Sequence, residues 1–422
     1  MNLTIGICAV AVIALGLVSA TIERAPLSTP LLAFAIGLAV GPQALGLIDP
    51  AMWPNSHAIV MHAAGITLAI SVTGIALRTP IGDYARVLRP VALLVTVGMV
   101  LMWLASAGLA VEVLGVPLLA GLAIGAVLAP TDPVVASSIV TGEAAERALP
   151  GRTRSTLSLE SGANDGLAYA IVLLPVALLT PGDGDLWRQW VWDALVVGIA
   201  IAVLLGALAG AAAGALLSEA SHVGWVQRHS LFGMSVALSL GALALATFAG
   251  SDGILAAFAA GVAFRFIIDR QDERSEGDVQ ETIANLVNLP IFVLFGAALP
   301  VAAWLERGPQ LLLFAVLILL VRRPLSLLVL RPALGAGLAR PDVAFLGWFG
   351  PMGVAAMYYA LLVREETGDA TAWEVTSAVV AASLVAHGVT SGPGLVLYEW
   401  LRPRRASAGA AAGASQTAMR RS

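Results

Sequence analysis

Runs of about twenty apolar residues, parted by short polar or Pro/Gly-rich breaks, follow one another along most of this chain. Inside a bilayer no water meets the backbone, so each run must close its own hydrogen bonds, and a helix does so within one segment. Thirteen runs are separable, at about 3–20, 27–47, 57–77, 90–113, 117–140, 156–179, 190–217, 229–249, 253–269, 282–301, 309–330, 342–363 and 375–398. The expected fold is an all-α polytopic membrane protein of about 13 transmembrane helices, whose odd count puts the two ends on opposite sides.

Composition points the same way. Of 422 residues, 59% are hydrophobic and only 12% charged, where soluble domains carry about 25% charged residues. Mean hydropathy is +0.88. The single cysteine, Cys8, can make no intramolecular disulfide. All 23 basic residues are Arg, which reads as compositional bias without mechanistic weight. Segment 3–20 has no basic flank and no small-residue cleavage site, so it is expected to be a retained span.

The arginines orient the spans. With the C-terminus cytoplasmic, the inner side holds Arg24, Arg78, Arg86, Arg89, Arg147, Arg152, Arg154, Arg228, Arg265, Arg270, Arg274, Arg331, Arg340, Arg402, Arg404, Arg405, Arg420 and Arg421. The outer side holds only Arg188, Arg307 and Arg364. Cytoplasmic loops are enriched in Arg and Lys, so this orientation is the expected one. A missed span would scramble the alternation. From Arg402 onward the chain is Ala/Gly/Ser-rich and basic, with too little apolar surface to fold. A disordered cytoplasmic tail over 402–422 is expected, its Arg able to touch anionic headgroups, with no appended soluble domain.

Two spans are broken near their middles. The fifth carries Leu128-Ala129-Pro130-Thr131-Asp132-Pro133-Val134, and the twelfth Gly347-Trp348-Phe349-Gly350-Pro351-Met352-Gly353. Proline removes a backbone donor and clashes with the preceding turn. Such breaks persist in a membrane only where protein or a cavity satisfies the freed groups. The breaks lie seven spans apart, and an odd offset makes the two segments antiparallel. That is the pattern of an inverted-topology repeat, here about 1–180 against 229–398, joined by a linker helix at about 190–217. Gly and Pro that merely permit kinks or close packing are the alternative. Half-helix ends facing one another at the midplane carry partial charge, which Asp132 is placed to offset on one side.

Span six carries Ser158-Leu159-Glu160-Ser161-Gly162-Ala163-Asn164-Asp165-Gly166 before its apolar run. A charge at the centre of a membrane helix costs about 2.5–3.5 kcal/mol even on lenient insertion scales, so a carboxylate there marks a functional site by default. Ser161 and Asp165 are four apart, as are Glu160 and Asn164, so each pair stacks on one face. Hydroxyl, amide and carboxylate oxygens suit a hard monovalent cation, and Thr131, Asp132 and unwound carbonyls of the broken span can complete the ring. Desolvation favours the neutral form of a carboxyl group. Cation and proton can therefore compete for Asp165, and such competition suffices for exchange.

Arg322 and Arg323 fall inside span eleven. Either they mark a short cytoplasmic turn, or they are intramembrane, which demands a partner. Glu160 lies about half a turn from Asp165 and is read as structural, paired with Arg323 or Arg322. The rival assignment makes Glu160 a second proton carrier and pairs Asp165 with Arg. His387 is either titratable near neutral pH or a packing histidine. His57 and His62 read as interfacial, as do Trp187, Trp190, Trp192 and Trp373. Asp183 and Asp185 read as solvated. No phosphate-binding loop, metal cluster or nucleophile elbow appears, so ATP-driven transport and enzymatic activity are not expected, nor is any nucleic-acid partner.

At these residues the chain resembles the monovalent cation:proton antiporters, in the NhaP/NHE sodium/proton exchanger branch. The matching pieces are Thr131-Asp132-Pro133, Glu160-Ser161 with Asn164-Asp165, Arg323-Pro324, Gly347-Trp348-Phe349-Gly350-Pro351 with Gly353, and His387-Gly388 with Thr390. They occur in order on the expected spans, and the likeness covers about residues 1–400. The resemblance implies a homodimer in a bacterial inner membrane, serving pH homeostasis by alternating access of a mobile core domain. It implies that Asp165 is the exchange carboxylate, that Ser161 and the Thr131 backbone help bind Na+ (or Li+ or K+), and that Asn164 orients the crossing. No cofactor is implied. Asn-Asp, where the electrogenic branch resembles Asp-Asp, implies one cation per proton. Two departures stand out. Met352 occupies a position that is usually Arg or Lys, and Ser71-Val72-Thr73-Gly74 lacks the acid many members carry in span three. The alternatives are an exchanger of K+ or another solute such as a small organic anion, or a membrane sensor or channel without exchange.

Overall fold

The structure, a computed structural model, describes residues 2–22, 27–140, 142–180, 182, 184–224, 230–268, 286–334 and 338–401. Arg24, Arg228, Arg270, Arg274, Asp183 and the basic tail from Arg402 lie outside the described residues.

All regular structure among the described residues is helical. Apart from short turns of helix at Ser19–Ile22 and Pro50–Met52, the helices in chain order are α1 (Asn2–Leu17), α2 (Thr29–Val40), α3 (Ser56–Arg78), α4 (Ile81–Leu114), α5 (Leu118–Val127), α6 (Pro133–Val140), α7 (Gly142–Ala148), α8 (Gly151–Leu179) and α9 (Leu186–His222). There follow α10 (Ser230–Phe248), α11 (Gly253–Ile267), α12 (Leu286–Ala297), α13 (Val301–Arg307), α14 (Pro309–Leu334), α15 (Arg340–Trp348), α16 (Val354–Thr367) and α17 (Thr371–Leu401). Six of them, α3, α4, α8, α9, α14 and α17, are long and apolar enough to cross a membrane singly. The pair α12–α13, bent by 55°, makes a seventh. Helices α1, α2, α5, α10 and α11 are apolar but shorter, so length and composition do not by themselves fix the count at thirteen. The chain is a multi-pass membrane protein.

The two expected breaks are present and matched in length. Helices α5 and α6 are parted by residues 128–132, and α15 and α16 by residues 349–353. Between them runs α8, which packs on α3, α4, α5, α6, α9, α11 and α16 and so sits at the centre of the fold. Its face toward the breaks is polar, and its outer turns carry apolar side chains into the core.

Two local readings differ from the sequence expectation, and a third decides between alternatives it left open. The tenth run bends, because Pro300 cannot continue the ladder; Gln43 Nε2 satisfies the Leu299 carbonyl at 2.7 Å. The fourth span begins earlier, so Arg86 and Arg89 lie on helix rather than loop. Arg322 and Arg323 lie within continuous helix, α14 being wound as a wider π turn over Ile318–Arg322. That excludes a cytoplasmic turn at these residues. Such turns often mark functional positions.

Candidate functional site

The two breaks meet. The Asp132 amide donates to the Pro351 carbonyl at 2.7 Å, joining one unwound segment to the other. The Asp132 carboxylate then serves two helices at once. Its Oδ1 accepts from the amides of Val134 (2.7 Å) and Val135 (3.0 Å) at the start of α6. Its Oδ2 accepts from the Val354 amide at the start of α16. A helix N-terminus presents unsatisfied N–H groups and partial positive charge, so one buried anion facing two such ends offsets both. The sequence reading gave Asp132 one side only. Gly353 makes the approach possible, since a Cβ there would collide with the Asp132 carboxylate.

Arg322 does the converse at the opposite ends. Its Nη1 donates to the carbonyls of Leu128, Ala129 and Pro130, at 3.4 Å for Ala129 and 3.2 Å for Pro130. Its Nη2 donates to Gly350 O at 2.8 Å. Those carbonyls follow the C-terminal ends of α5 and α15, where partial negative charge collects. Arg323 Nε donates to Leu346 O at 2.6 Å, and a Cβ on Gly350 would strike the Arg323 side chain.

Glu160 is paired. Arg323 grips it with both terminal nitrogens, Nη1 to Oε1 at 2.9 Å and Nη2 to Oε2 at 2.7 Å. Asn164 Nδ2 donates to Glu160 Oε1 at 3.1 Å and to Thr131 Oγ1 at 2.8 Å, while its Oδ1 accepts from the Thr131 amide at 3.2 Å. The Thr131 hydroxyl lies 3.0 Å from Ser161 Oγ and 3.4 Å from Glu160 Oε1. Asn164 thus clamps the unwound segment of span five to α8, and brings the Thr131 and Ser161 oxygens together.

Asp165 stands apart from this satisfied network. It is wholly buried, one turn beyond Ser161, and neither carboxylate oxygen has a hydrogen-bond partner. Among the described residues it is the one carboxyl group with both oxygens buried and unbonded. An isolated anion in that setting costs many kcal/mol, so the group is stable there only as the neutral acid or with a cation beside it. The main-chain carbonyl of Asp165 accepts from Tyr359 Oη at 2.5 Å.

A family profile described as "Sodium/hydrogen exchanger, transmembrane" matches residues 9–397. The chain belongs to that family. Its sequence is 28% identical over 385 residues to a protein named Na(+)/H(+) antiporter from Saccharomyces cerevisiae, covering 83% of this chain and 39% of the yeast protein. It is 25% identical over 409 residues to a protein named K(+)/H(+) antiporter NhaP from Alkalimonas amylolytica, covering 95% of this chain and 67% of that one. Its fold matches the solved structure of the sodium proton antiporter MjNhaP1 from Methanocaldococcus jannaschii, with a TM-score of 0.73 at 20% identity over 94% of this chain and 97% of that one. The chain spans about half the length or less of the first yeast relatives it matches.

Within this exchanger-family fold the remaining expected residues fall as follows. Met352 is buried, and its amide donates to Ser383 Oγ at 2.9 Å. Ser71 donates to Asn288 Oδ1 (2.9 Å) and Thr73 to the Ala257 carbonyl (2.9 Å). His387 is held as a packing residue, Nε2 at 3.0 Å from the Trp348 carbonyl and Nδ1 at 3.2 Å from Ser383 Oγ. Trp187 and Trp192 are exposed as expected of interfacial anchors, but Trp373 is buried in the core. His57 and His62 are exposed. Asp185 caps α9 by accepting from the amides of Trp187 and Arg188. The sequence reading overlooked Tyr359, Ser383 and Asp252, the last a buried cap of α11. Their one signal was a polar atom inside an apolar run.

Proposed function

We propose that this chain is a secondary transporter exchanging a monovalent cation for a proton across the membrane, one for one, with the two competing for Asp165. The unbonded, fully buried Asp165 carboxyl carries this reading. Asp132, Glu160, Arg322 and Arg323 already have partners, which leaves Asp165 as the group in the crossing free to gain and lose charge. Its cation is Na+ or Li+, ligated by Asp165 with oxygens of Ser161 and Thr131, while Asn164 holds the Thr131 segment in place. Because one titratable group swaps one charge for one charge, transport is electroneutral. No cofactor takes part.

Residues 1–401 form the transport domain, with repeats at about 1–180 and 229–398 and the linker helix at about 190–217. The protein works as a homodimer in a bacterial inner membrane, the C-terminal 402–422 tail cytoplasmic. The core around α8 and the broken helices moves against the remaining spans, opening Asp165 to one side and then the other. A second reading takes K+ as the cation. The K+/H+ antiporter named among the relatives favours it.

Proton flux in everted vesicles, with Na+, Li+ and K+ added in turn, tests the reading. Exchange with at least one cation, abolished by Asp165→Asn, is expected. No flux with any cation, or full flux in Asp165→Asn, contradicts it.

A further inference from the structure

Tyr359 lies five residues into α16, with its ring fully buried and packed edge-on against Tyr358 at 5.1 Å between centroids. A phenylalanine would fill the same space. The hydroxyl is an addition, and it is spent on the main-chain carbonyl of Asp165 at 2.5 Å, 194 residues away in sequence. That carbonyl is in mid-helix, where the amide four residues on already serves it. The Tyr359 bond is therefore not the repair of a helix end.

Its place in the network gives it a purpose. From α8, Asn164 and Ser161 bond Thr131. The adjacent Asp132 bonds the Val354 amide at the start of α16. One and a half turns along α16, Tyr359 returns to α8 at Asp165. The bonds close a ring from α8 through the fifth span and the twelfth span and back to α8. The unbonded Asp165 carboxyl hangs from this ring, and Thr131 and Ser161 are members of it. Without the Tyr359 hydroxyl the ring is open on the Asp165 side.

We propose that Tyr359 is a positioning residue that closes this ring, fixing the separation between Asp165 on α8 and the Thr131 oxygens of the fifth span, and so sets which monovalent cation fits. The inference rests on the reading of Asp165 as the exchange site. A rigid ring of oxygens discriminates ions by radius, whereas a loosened one takes Li+, Na+ and K+ more evenly.

The test is Tyr359→Phe, assayed for cation-dependent proton flux with Li+, Na+ and K+ after elution and melting behaviour have shown it folded. Apparent KM for the preferred cation rises about five- to tenfold, the size of one lost hydrogen bond, with maximal rate changed far less. The ratio of KM values among the three cations flattens. The same ratios are read without transport from cation-dependent melting shifts in detergent, with Tyr359→Leu as the variant that loses ring and hydroxyl together. Parent-like KM values and ratios in Tyr359→Phe, with changes only in Tyr359→Leu, would reduce Tyr359 to ring packing and overturn the proposal. If the parent exchanges no cation at all, the exchange reading fails first. If the parent exchanges and Tyr359→Phe matches it, only the role of Tyr359 fails.

Discussion

Asp132 and Arg322 divide the two broken helices between them: Asp132 accepts from the amides that open α6 and α16, and Arg322 donates to the carbonyls that follow α5 and α15. Each side chain joins the fifth span to the twelfth. The crossing is held by one anion and one cation that meet four partial charges of opposite sign, so it stays compact in a medium without water.

Removing Asp132 strips the caps from two half-helices at once. Asp132→Ala is expected to cost about 1–4 kcal/mol, two caps at roughly 0.5–2 each. Arg322→Lys keeps the charge but loses the fork that reaches both carbonyl sets, so it should fall between the parent and Arg322→Gln. Melting temperature in detergent, measured across the series, checks the order.

The Glu160–Arg323 pair is buried and bidentate, 2.7 Å at its shorter contact. Breaking one side leaves a buried charge alone. Glu160→Gln or Arg323→Gln should destabilise by about 3–5 kcal/mol, while the joint change Glu160→Leu with Arg323→Met should recover much of that loss. A double-mutant cycle on melting or denaturant midpoints gives the coupling.

Gly353→Ala places a Cβ on the Asp132 carboxylate. A loss of about 1–3 kcal/mol is expected from overpacking, with weakened exchange. Gly392→Ala, in α17 with open space around it, is the matched control and should melt at or slightly above the parent. Equal melting of the two variants would show that the Asp132 carboxylate lies elsewhere.

Competition at one carboxyl fixes the sign of the pH effect. Acidification raises proton occupancy of Asp165, so the apparent KM for the cation rises as pH falls, approaching about tenfold per pH unit, with maximal rate unchanged. Initial rates against cation concentration at several pH values separate this from a pH effect on maximal rate alone.

Much of the fold was legible because the membrane leaves the chain few options. The breaks announced themselves through Pro130, Pro133, Pro351 and the glycines at 350 and 353, and Asp165 through its place in an apolar run. The bend before Pro300 was missed because that proline sits at the edge of its run, where a stop and a bend look alike. The choice between Arg322 and Arg323 was not legible, since neighbours in sequence are separated only by how α14 winds over Ile318–Arg322. The second partner of Asp132, the Val354 amide, lies 222 residues away, beyond any local pattern. Trp373 carries the composition of an interfacial anchor, and only its packing makes it core.

Proton release on cation binding tests the central claim most directly. Purified protein in weakly buffered detergent, titrated with Na+, Li+ or K+, is expected to release about one proton per cation bound, because the cation displaces the proton from the same carboxyl. Asp165→Asn should release none, while Glu160→Gln, if folded, should still release. Release of the parent's proton by Asp165→Asn would contradict the account and move the exchanged charge to another group.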